Sequence, residues 1–587
     1  MKIEFDEFPQ DFARRYRDAG YWRGETLGRL LREWAALPQP RTAIVEGGRR
    51  WSYAELDTEA DGLAAGFQAL GIGPGDPVVV QLPNTAAFAV VSIALFRLGA
   101  PPVFALPNHR RNDITYLCEA SEAVAYVIPD VHQGFDYRSL AADVVGSVKT
   151  IKHVLVHGDP GDFTALRDIA AEPRPLAGPA PGDVALFLLS GGTTGPPKLI
   201  PRTHDDYAYQ LRATAEGLCH GQDSTYLAVI PVAHNAALGC PGLLGTLRAG
   251  GKVVLPASPT PDDCFDLIES EAVTLTTLMP PLVLLWLESA EFYDVDFSRL
   301  LIQVGSARFA PEVARRIYTE LGASLTHWFG MAEGLLTFTR PDDPQDVIIH
   351  TQGRPLCPDD EIRVIDEQDR DVRPGEIGEL ITRGPYTLRG YYRVPEHNAK
   401  AFTPEGFLRT GDLVRLTPDG NMVVEGRIKD VINRGGEKVS AGEVEDLLIT
   451  HPAVREVAVV AMPDKVLGER ACAWVVPRGE APRLEELRSF LRSQGLADYK
   501  LPDRLELTDS FPHTKVGKVN KAELRELAAS LTKRPMRPHG RAVSQSSELP
   551  VPDPLGSGLI VVPSRDNIIG PAFLIRQATR RCASQKA

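Results

Sequence analysis

Hydrophobic and polar positions follow two alternating patterns along the first three hundred residues. Short continuous apolar runs, bounded by glycine, proline or polar residues, predict buried strands. Between them, residues 86–98 and 311–321 have the apolar spacing of helices. The predicted strands are 78–82, 125–128, 154–157, 184–189, 226–230, 253–255 and 301–304. Alternation of this kind predicts an α/β fold, in which mixed or parallel sheets are covered by helices.

The pattern changes twice in the second half of the chain. Residues 353–416 contain short strands and turns, such as EIRVID and GELITRG, which predict a small β-barrel-like subdomain. After Gly426, two strands at 457–460 and 473–476 precede an amphipathic helix at 484–492. We therefore expect a large N-terminal domain, residues 1–426, and a compact α+β C-terminal domain, residues 427–534.

The last segment, residues 535–587, has a different composition. Its first part is rich in proline, serine and glycine, which predicts a disordered tail. Residues 568–581 form an apolar and then basic block. That block fits either a short docking helix or an extension without a function.

Composition excludes several classes of protein. The chain has 587 residues, 43% of them hydrophobic and 24% charged, as in a soluble protein of several domains. Its net charge of -13 argues against nucleic acid as a partner. The 7 cysteines form no C-x-x-C pair, so no disulfide framework or zinc site is indicated. No signal-peptide pattern or membrane-length apolar run occurs, and we expect a cytoplasmic protein without a membrane partner.

The segment SGGTTGPPK, residues 190–198, directly follows the predicted strand 184–189. Its glycines allow the backbone to approach a phosphate closely, its hydroxyl groups donate hydrogen bonds, and Lys198 adds a positive charge. A Walker loop is excluded, because Pro196 and Pro197 stand where that loop needs helical N–H donors. On this segment alone, an ordinary turn after a strand remains the alternative to a nucleotide phosphate loop.

Four further motifs follow in order: GMAEG at 330–334, RTGD at 409–412, GRIKDVINRGGEKVSAGEVE at 426–445 and HTKVGKVNK at 513–521. With the loop at 190–198, they make the chain resemble the adenylate-forming (AMP-binding) superfamily over about residues 10–530. Within it, the chain resembles the stand-alone aryl-acid ligases of siderophore and antibiotic assembly lines. The resemblance implies that the C-terminal domain is a mobile lid.

The resemblance implies a two-step reaction. A carboxylate attacks the α-phosphate of ATP to give an acyl-adenylate and pyrophosphate, and a thiol then displaces AMP. By resemblance, Lys518 is the adenylation lysine, Lys438 enters the site in the second step, and Lys429 is the hinge. On composition alone, Lys518 and Lys429 would be ordinary solvated lysines.

By resemblance, the expected cofactors are ATP and Mg²⁺, with Glu333 holding the metal. Asp412 would accept hydrogen bonds from the ribose hydroxyls, and Arg427 would contact phosphate or ribose. The ATP-binding residues are expected to be Ser190, Gly191, Gly192, Thr193, Thr194, Gly195, Lys198, Gly305, Phe329, Gly330, Met331, Ala332, Glu333, Asp412 and Arg427.

The acyl pocket implied by the resemblance contains His234, Asn235, Ala236, Cys240, Ser306 and Leu336. Asn235 can bond an ortho-hydroxyl of an aromatic acid. Cys240 stands where relatives using 2,3-dihydroxybenzoate usually have serine, and a cysteine suits a ring C–H better. With Leu336 on the far side, salicylate is the expected substrate. Ala236 and Ser306 depart from the family pattern, so 2,3-dihydroxybenzoate and 3-hydroxypicolinate remain alternatives.

The acceptor is inferred from a missing motif. The chain has no G-G-x-S attachment site for phosphopantetheine, so a separate aryl carrier protein is expected, with coenzyme A as the alternative. The function expected is aryl-acid activation for siderophore or related nonribosomal peptide biosynthesis. A catalytically inactive binding module is the alternative from another class, and ATP–pyrophosphate exchange separates the two.

Overall fold

The computed structural model describes residues 3–190, 197–305, 309–435, 437–514 and 517–531. The strands are β1 Thr42–Glu46, β2 Arg49–Ser52, β3 Val78–Val80, β4 Pro102–Phe104, β5 Ala125–Pro129, β6 Val131–His132, β7 Phe135–Asp136, β8 His153–His157, β9 Thr164–Ala165, β10 Val184–Leu189, β11 Leu199–Thr203, β12 Thr225–Leu227, β13 Lys252–Leu255, β14 Leu275–Leu278, β15 Leu301–Val304, β16 Ser324–Met331, β17 Gly334–Phe338, β18 Arg354–Pro355, β19 Glu361–Ile365, β20 Gly378–Arg383, β21 Leu408–Leu416, β22 Met422–Arg427, β23 Val431–Arg434, β24 Glu437–Ser440, β25 Val454–Asp464, β26 Gly468–Pro477 and β27 Arg504–Leu507.

The helices are α1 Gln10–Asp18, α2 Arg32–Ala35, α3 Tyr53–Ala69, α4 Ala86–Leu98, α5 Arg111–Ser121, α6 Tyr137–Ser147, α7 His204–Gly217, α8 Asn235–Gly239, α9 Gly242–Arg248, α10 Pro261–Ser270, α11 Pro280–Ser289, α12 Pro311–Arg316, α13 Gln345–His350, α14 Pro395–Ala401, α15 Ala441–Leu448, α16 Leu484–Ser493 and α17 Lys521–Leu531. None of these described helices is long and apolar enough to cross a membrane.

Two large sheets form the N-terminal part of the molecule. One has the strand order β11-β10-β4-β3-β5-β8-β9, and the other β18-β17-β16-β15-β14-β12-β13-β1-β2. Their central strands pair in parallel, whereas edge pairs such as β10–β11 and β16–β17 are antiparallel. The predicted α/β fold with mixed sheets is therefore confirmed.

The largest hydrophobic core contains residues of both sheets and of the helices α3, α4, α7 and α9. Helix α4 is apolar almost all round, and nearly every one of its residues is buried. A helix of that kind is stable only when it is enclosed by other elements. The continuous apolar runs in the sequence thus correspond to strands and helices buried on every side.

A four-stranded antiparallel sheet, β19–β22, occupies most of the region 353–416, for which a small β-barrel-like subdomain was predicted; in the described residues its end strands β19 and β22 do not pair with each other. It has its own small core, which includes Leu335, Val364 and Leu380. Phe329 and Met331 at the end of β16 pack against that core. This packing brings the end of a central strand of the large sheet to the edge of the subdomain.

The C-terminal part is a five-stranded sheet, β24-β23-β26-β25 with β27 beside β26. Helices α15 and α16 contribute to the core on one face, and α17 contributes to the core on the other. The single helical turn Ile428–Asp430 connects β22 to this α+β unit. The compact part of the chain comprises residues 1–534, and the predicted tail from residue 535 lies outside the described residues.

Candidate active site

The strands β10 and β11 close the base of the predicted phosphate loop. The Ser190 N–H donates to the Lys198 carbonyl over 3.0 Å, and the Lys198 N–H donates to Ser190 Oγ over 2.9 Å. Lys198 Nζ lies 5.9 Å from the centre of the Tyr391 ring. The loop residues Gly191, Gly192, Thr193, Thr194 and Gly195 lie outside the described residues, so their assignment stays a prediction.

The GMAEG segment forms the tight turn between β16 and β17. A Cβ atom at Gly330 would lie 2.4 Å from Leu336 Cδ2 and 2.6 Å from the Trp328 ring, so a larger residue would force these side chains aside. Gly334 has a φ of 149° and lies so close to Thr387 that a Cβ would be 2.4 Å from its Cα. The glycines of this motif are therefore required by close packing that holds the turn in place.

Gly305 follows β15, the parallel neighbour of β16. A Cβ at Gly305 would lie 2.5 Å from the Trp328 carbonyl oxygen, so the two strand ends are in close contact. Ala332, in the turn after β16, accepts a hydrogen bond at its carbonyl from Arg202 Nη1 over 3.1 Å. This bond connects the turn to β11, the strand that follows the phosphate loop.

Glu333 lies at the tip of this turn. Its Oε1 accepts a hydrogen bond of 3.0 Å from the Tyr391 hydroxyl. Burial raises the pKa of the Glu333 carboxyl, although Tyr391 and the charge of Arg427 partly oppose that rise. A cation that coordinates this carboxylate would remove the electrostatic cost of keeping it ionised.

Asp412 and Arg427 face each other as a cross-strand pair of β21 and β22. Arg427 Nε donates to Asp412 Oδ1 over 2.6 Å, and the Asp412 side chain is only 6% exposed. Burial alone would lower the pKa of Arg427. The neighbouring Asp412 carboxylate outweighs this effect, and the pKa of Arg427 is raised. The sheet register thus brings together two residues that the sequence separates.

Lys518 lies in the turn between β27 and α17 of the C-terminal unit. Its ammonium group is in electrostatic contact with Arg427, Asp412 and Glu333. Burial, and after it the charge of Arg427, lower the pKa of Lys518 to about 8, while Asp412 and Glu333 oppose the shift. The lysine predicted for adenylation is therefore placed among the predicted nucleotide-binding residues.

The two other predicted lid lysines lie elsewhere. Lys429 belongs to the turn Ile428–Asp430, and burial followed by Arg427 lowers its pKa. Asp430, beside it, pairs with Arg525 of α17 at 2.7 Å. Lys438 of β24 pairs at the surface with Glu367, and its side chain is 64% exposed. The part of Lys438 in the second step stays a prediction.

His234 and the two residues after it begin the short helix α8. The His234 Nδ1 accepts a hydrogen bond of 3.2 Å from the Ala236 N–H, so the imidazole caps the helix. Burial, and then the charge of Lys518, lower the pKa of His234 to about 3. His234 is therefore neutral, and its ring nitrogen Nδ1 is already engaged within the protein.

Asn235, Cys240 and Leu336 are all buried. Cys240 and Leu336 belong to the same hydrophobic core as Ala236, and their place on the aryl-acid pocket stays a prediction. Burial raises the pKa of the Cys240 thiol to about 12, so the sulfur is uncharged. Ser306, the remaining predicted pocket residue, lies outside the described residues.

The residues of α7 that contact Asn235 were not predicted from the sequence. Its Oδ1 lies 2.9 Å from the Tyr207 hydroxyl and 3.3 Å from Gln210 Nε2, both on α7. Arg202, on the strand before α7, donates in turn to Gln210 Oε1. The available signal was the pair of polar residues at 206 and 210, one helical turn apart in a segment between buried elements.

Two family models match the chain. The AMP-binding enzyme model matches residues 31–392, and the model of the AMP-binding enzyme C-terminal domain matches residues 443–518. The second match ends on Lys518. Together the two models cover most of the described chain, including β10, β16 and the predicted aryl pocket.

Curated relatives match over nearly their whole length. A 2,3-dihydroxybenzoate-AMP ligase of Bacillus subtilis is 56% identical over 89% of this chain and 97% of its own. A salicyl-AMP ligase / salicyl-S-ArCP synthetase of Mycobacterium tuberculosis is 47% identical over 88% of this chain and 93% of its own.

A solved structure gives the same result. The apo structure of Mycobacterium smegmatis MbtA is 46% identical, with a TM-score of 0.70, and the match covers 89% of this chain and 98% of that one. The fold, the matched models and these relatives agree. The chain belongs to the AMP-binding enzymes, the adenylate-forming ligases.

Proposed function

We propose that this protein uses ATP to convert an aryl acid, salicylate in the first place, into an aryl-adenylate. It then transfers the aryl group to the phosphopantetheine thiol of a separate aryl carrier protein. The observation that carries the proposal is the position of Lys518, a lysine of the C-terminal unit that lies among Glu333, Asp412 and Arg427.

In the first step, a carboxylate oxygen of the acid forms a bond to the α-phosphorus of ATP. The bond from that phosphorus to the oxygen bridging to the β-phosphate breaks, and pyrophosphate leaves with the electron pair. No protein nucleophile is needed, so the enzyme acts by positioning the reactants and neutralising charge. An ammonium at Lys518 would bridge the acid and the α-phosphate as negative charge develops between them.

The electrostatics of the cluster support this role. Three cations, Lys518, Arg427 and Lys429, face the carboxylates of Asp412 and Glu333. Burial, followed by the charge of Arg427, lowers the pKa of Lys518 to about 8, and the two carboxylates oppose that shift. The arrival of two anionic substrates favours the ammonium form, so the charge becomes most stable when the reaction needs it.

The carboxylates have distinct proposed parts. Asp412 would accept from both ribose hydroxyls while it keeps its bond to Arg427, because a carboxylate offers about four acceptor sites. Glu333 would hold Mg²⁺, a cation that binds preferentially to oxygen ligands. No group of three or more His, Cys, Asp or Glu that could hold a metal occurs among the described residues. A Mg²⁺ ion would therefore take its other ligands from the nucleotide phosphates and water, and it would neutralise phosphate charge there.

The aryl pocket supports an ortho-hydroxy acid. The side-chain oxygen of Asn235 is hydrogen-bonded to residues of α7. The NH₂ group of Asn235 would then bond a substituent on the aryl ring. Cys240 is uncharged, and both it and Leu336 are fully buried, which suits ring C–H groups and favours salicylate. A second candidate is 2,3-dihydroxybenzoate, because the relative with 56% identity is named as a ligase of that acid.

The acceptor and the pathway are inferred from the names of relatives. One relative is a salicyl-S-ArCP synthetase, others are pyochelin synthases, and another is a vibriobactin-specific ligase. These names favour a carrier protein and a role in siderophore or related nonribosomal peptide biosynthesis. Relatives named as CoA ligases keep coenzyme A as the alternative acceptor.

The test is ATP–pyrophosphate exchange with a panel of salicylate, 2,3-dihydroxybenzoate, benzoate and 3-hydroxypicolinate. Salicylate is expected to give the highest kcat/KM. A clear preference for the 2,3-dihydroxylated ring would overturn the interpretation of Cys240 and Leu336. Absence of exchange with every acid would overturn the proposed function itself. Parallel loading assays with carrier protein and with coenzyme A then identify the acceptor.

A further inference from the structure

A buried chain of polar side chains lies behind Asn235. It consists of Arg202 on β11 and of Asp206, Tyr207 and Gln210 on α7. We call these four residues the α7 relay. All four are at most 3% exposed. Arg202 Nε pairs with Asp206 Oδ1 at 2.8 Å, and Arg202 Nη2 donates to Gln210 Oε1 over 2.9 Å.

The relay has a fixed direction, because a guanidinium group donates hydrogen bonds and cannot accept them. The bond from Arg202 therefore identifies the Gln210 atom that it meets as the oxygen. The amide nitrogen of Gln210 must then face the other way. There it donates to the Gly239 carbonyl over 3.0 Å and to Asn235 Oδ1 over 3.3 Å. The hydrogen-bond donors and acceptors around them therefore determine which atom is oxygen and which is nitrogen in the side-chain amides of Gln210 and Asn235.

Tyr207 reinforces this orientation. Its hydroxyl lies 2.9 Å from the same Asn235 Oδ1. Burial raises the pKa of Tyr207 well above its usual value, so the phenol keeps its proton and can donate. Two donors consequently converge on the oxygen of Asn235, and its NH₂ group is left on the opposite side. Within the described part of the chain, no hydrogen bond from that NH₂ group is formed.

The charged end of the relay is balanced within the protein. The second oxygen of Asp206 accepts from the backbone and the hydroxyl of Thr203, at 2.7 and 2.9 Å. The remaining terminal nitrogen of Arg202 donates to the Ala332 carbonyl, next to Glu333. A buried ion pair satisfied in this way is rigid, because every alternative rotamer would leave a charge without a partner.

We propose that Tyr207 and Gln210 are positioning residues that hold Asn235 with its NH₂ group toward the aryl acid, so that the pocket selects an ortho substituent able to accept a hydrogen bond. This inference rests on the proposed function. An ortho-hydroxyl oxygen accepts such a bond. An ortho-amino group is nearly the same size, but its lone pair is delocalised into the ring and its N–H groups would face those of Asn235. The relay thus discriminates between two isosteric acids by hydrogen-bond polarity.

The experiment measures pyrophosphate exchange with salicylate and with 2-aminobenzoate, and compares their kcat/KM ratio between variants. Tyr207→Phe removes one of the two donors without changing the shape of the side chain. We expect the preference for salicylate to fall about tenfold, mainly through the KM for salicylate, with the KM for ATP unchanged. Gln210→Met, which removes the other donor, should shift the ratio in the same direction.

Tyr209→Phe is the matched control. It removes a hydroxyl from the same buried helix, but that hydroxyl lies beside Cys357 and not beside Asn235. Its substrate ratio should equal that of the wild type. In an Asn235→Ala background, Tyr207→Phe should have no further effect, because the group that it positions is gone.

The outcomes separate the hypotheses. An unchanged ratio in both Tyr207→Phe and Gln210→Met, with melting temperatures near that of the wild type, would overturn the inference and leave the proposed function standing. An equal loss in the Asn235→Ala background would also overturn it, because the effect would then bypass Asn235. Should one variant fail to fold, the other provides the ratio. Wild-type enzyme without exchange on any aryl acid would overturn the proposed function and this inference together.

Discussion

The α7 relay and the cluster around Lys518 handle buried charge in opposite ways. In the relay, Arg202 and Asp206 pair with each other and every remaining bond is made within the protein. In the cluster, burial and after it the charge of Arg427 lower the pKa of Lys518, and the carboxylates of Asp412 and Glu333 offset this shift only in part. In our proposal, selectivity for the acid depends on a rigid network whose charges are paired within the protein. Catalysis is assigned to an unbalanced group that its anionic substrates complete.

The largest effect should come from removing the unbalanced cation. Lys518→Ala should lower the rate of pyrophosphate exchange by about a hundred- to a thousandfold, because a preorganised charge at the developing anion is lost. Calorimetry should show that salicylate and ATP still bind. Lys521→Ala is the control, since Lys521 pairs with Glu445 at 2.6 Å and is not expected to touch the substrates. Exchange near the wild-type rate in Lys518→Ala would contradict the assignment.

Glu333→Gln tests the carboxylate side of the same cluster. The amide keeps the size of the side chain and a bond to Tyr391 but loses the charge for a divalent cation. We expect the Mg²⁺ concentration needed for half-maximal exchange to rise at least about tenfold. Glu367→Gln, on the surface beside Lys438, should leave the Mg²⁺ titration unchanged. An identical titration in Glu333→Gln would remove Glu333 from the metal site.

The pH dependence of kcat/KM should reveal the depressed pKa of Lys518. The ammonium form is the active one, so kcat/KM should fall as the pH rises through about 8. In kcat, the same limb should move to higher pH, because the bound anions favour the charged form. Lys518→Arg, whose guanidinium stays charged, should lack the limb at whatever activity remains. A wild-type profile that is flat up to about pH 10 would contradict the electrostatic account.

Asp360 differs from Asp206 of the α7 relay, whose carboxylate is paired with Arg202. It is buried, no ion pair joins it to a cation among the described residues, and burial raises its pKa to about 7. Its bound proton therefore stabilises the fold at low pH, and that contribution is lost as the pH rises from about 4 through about 7. Compared with Asp360→Asn, the wild type should lose roughly 2–4 kcal/mol of unfolding free energy across this range. Chemical denaturation at several pH values measures the difference; parallel curves would contradict it.

The strands of the body and the lid lysine could be predicted from the sequence for different reasons. Strands such as β3 and β10 are continuous apolar runs, because both of their faces are buried. The placement of Lys518 was expected from the motif that surrounds it. The predicted strand 226–230 was too long at one end, since β12 ends at Leu227. Apolar residues continue beyond it in the buried chain that leads to α8.

The α7 relay could not be predicted from the hydrophobic pattern. Helix α7 looks polar, yet most of its residues are buried, because many of its polar side chains bond to β11 and to the N-terminal segment around residues 20–27. The contact between Arg202 and Ala332 joins residues 130 positions apart, and sequence spacing carries no trace of it. His234 was predicted as a pocket residue. Its capping bond with the Ala236 N–H could not be predicted, because that bond depends on the local backbone geometry.

The surface contact between Lys438 and Glu367 has a consequence for the order of events in turnover. A lysine proposed for thiol transfer is held, in this arrangement, by a partner that is 73% exposed to solvent. An exposed pair of this kind contributes at most about 1 kcal/mol, and dissolved salt weakens it further. Separating Lys438 from Glu367 therefore costs little free energy. We expect this separation, which must precede the thiol-transfer step, to be fast and to become easier as ionic strength increases.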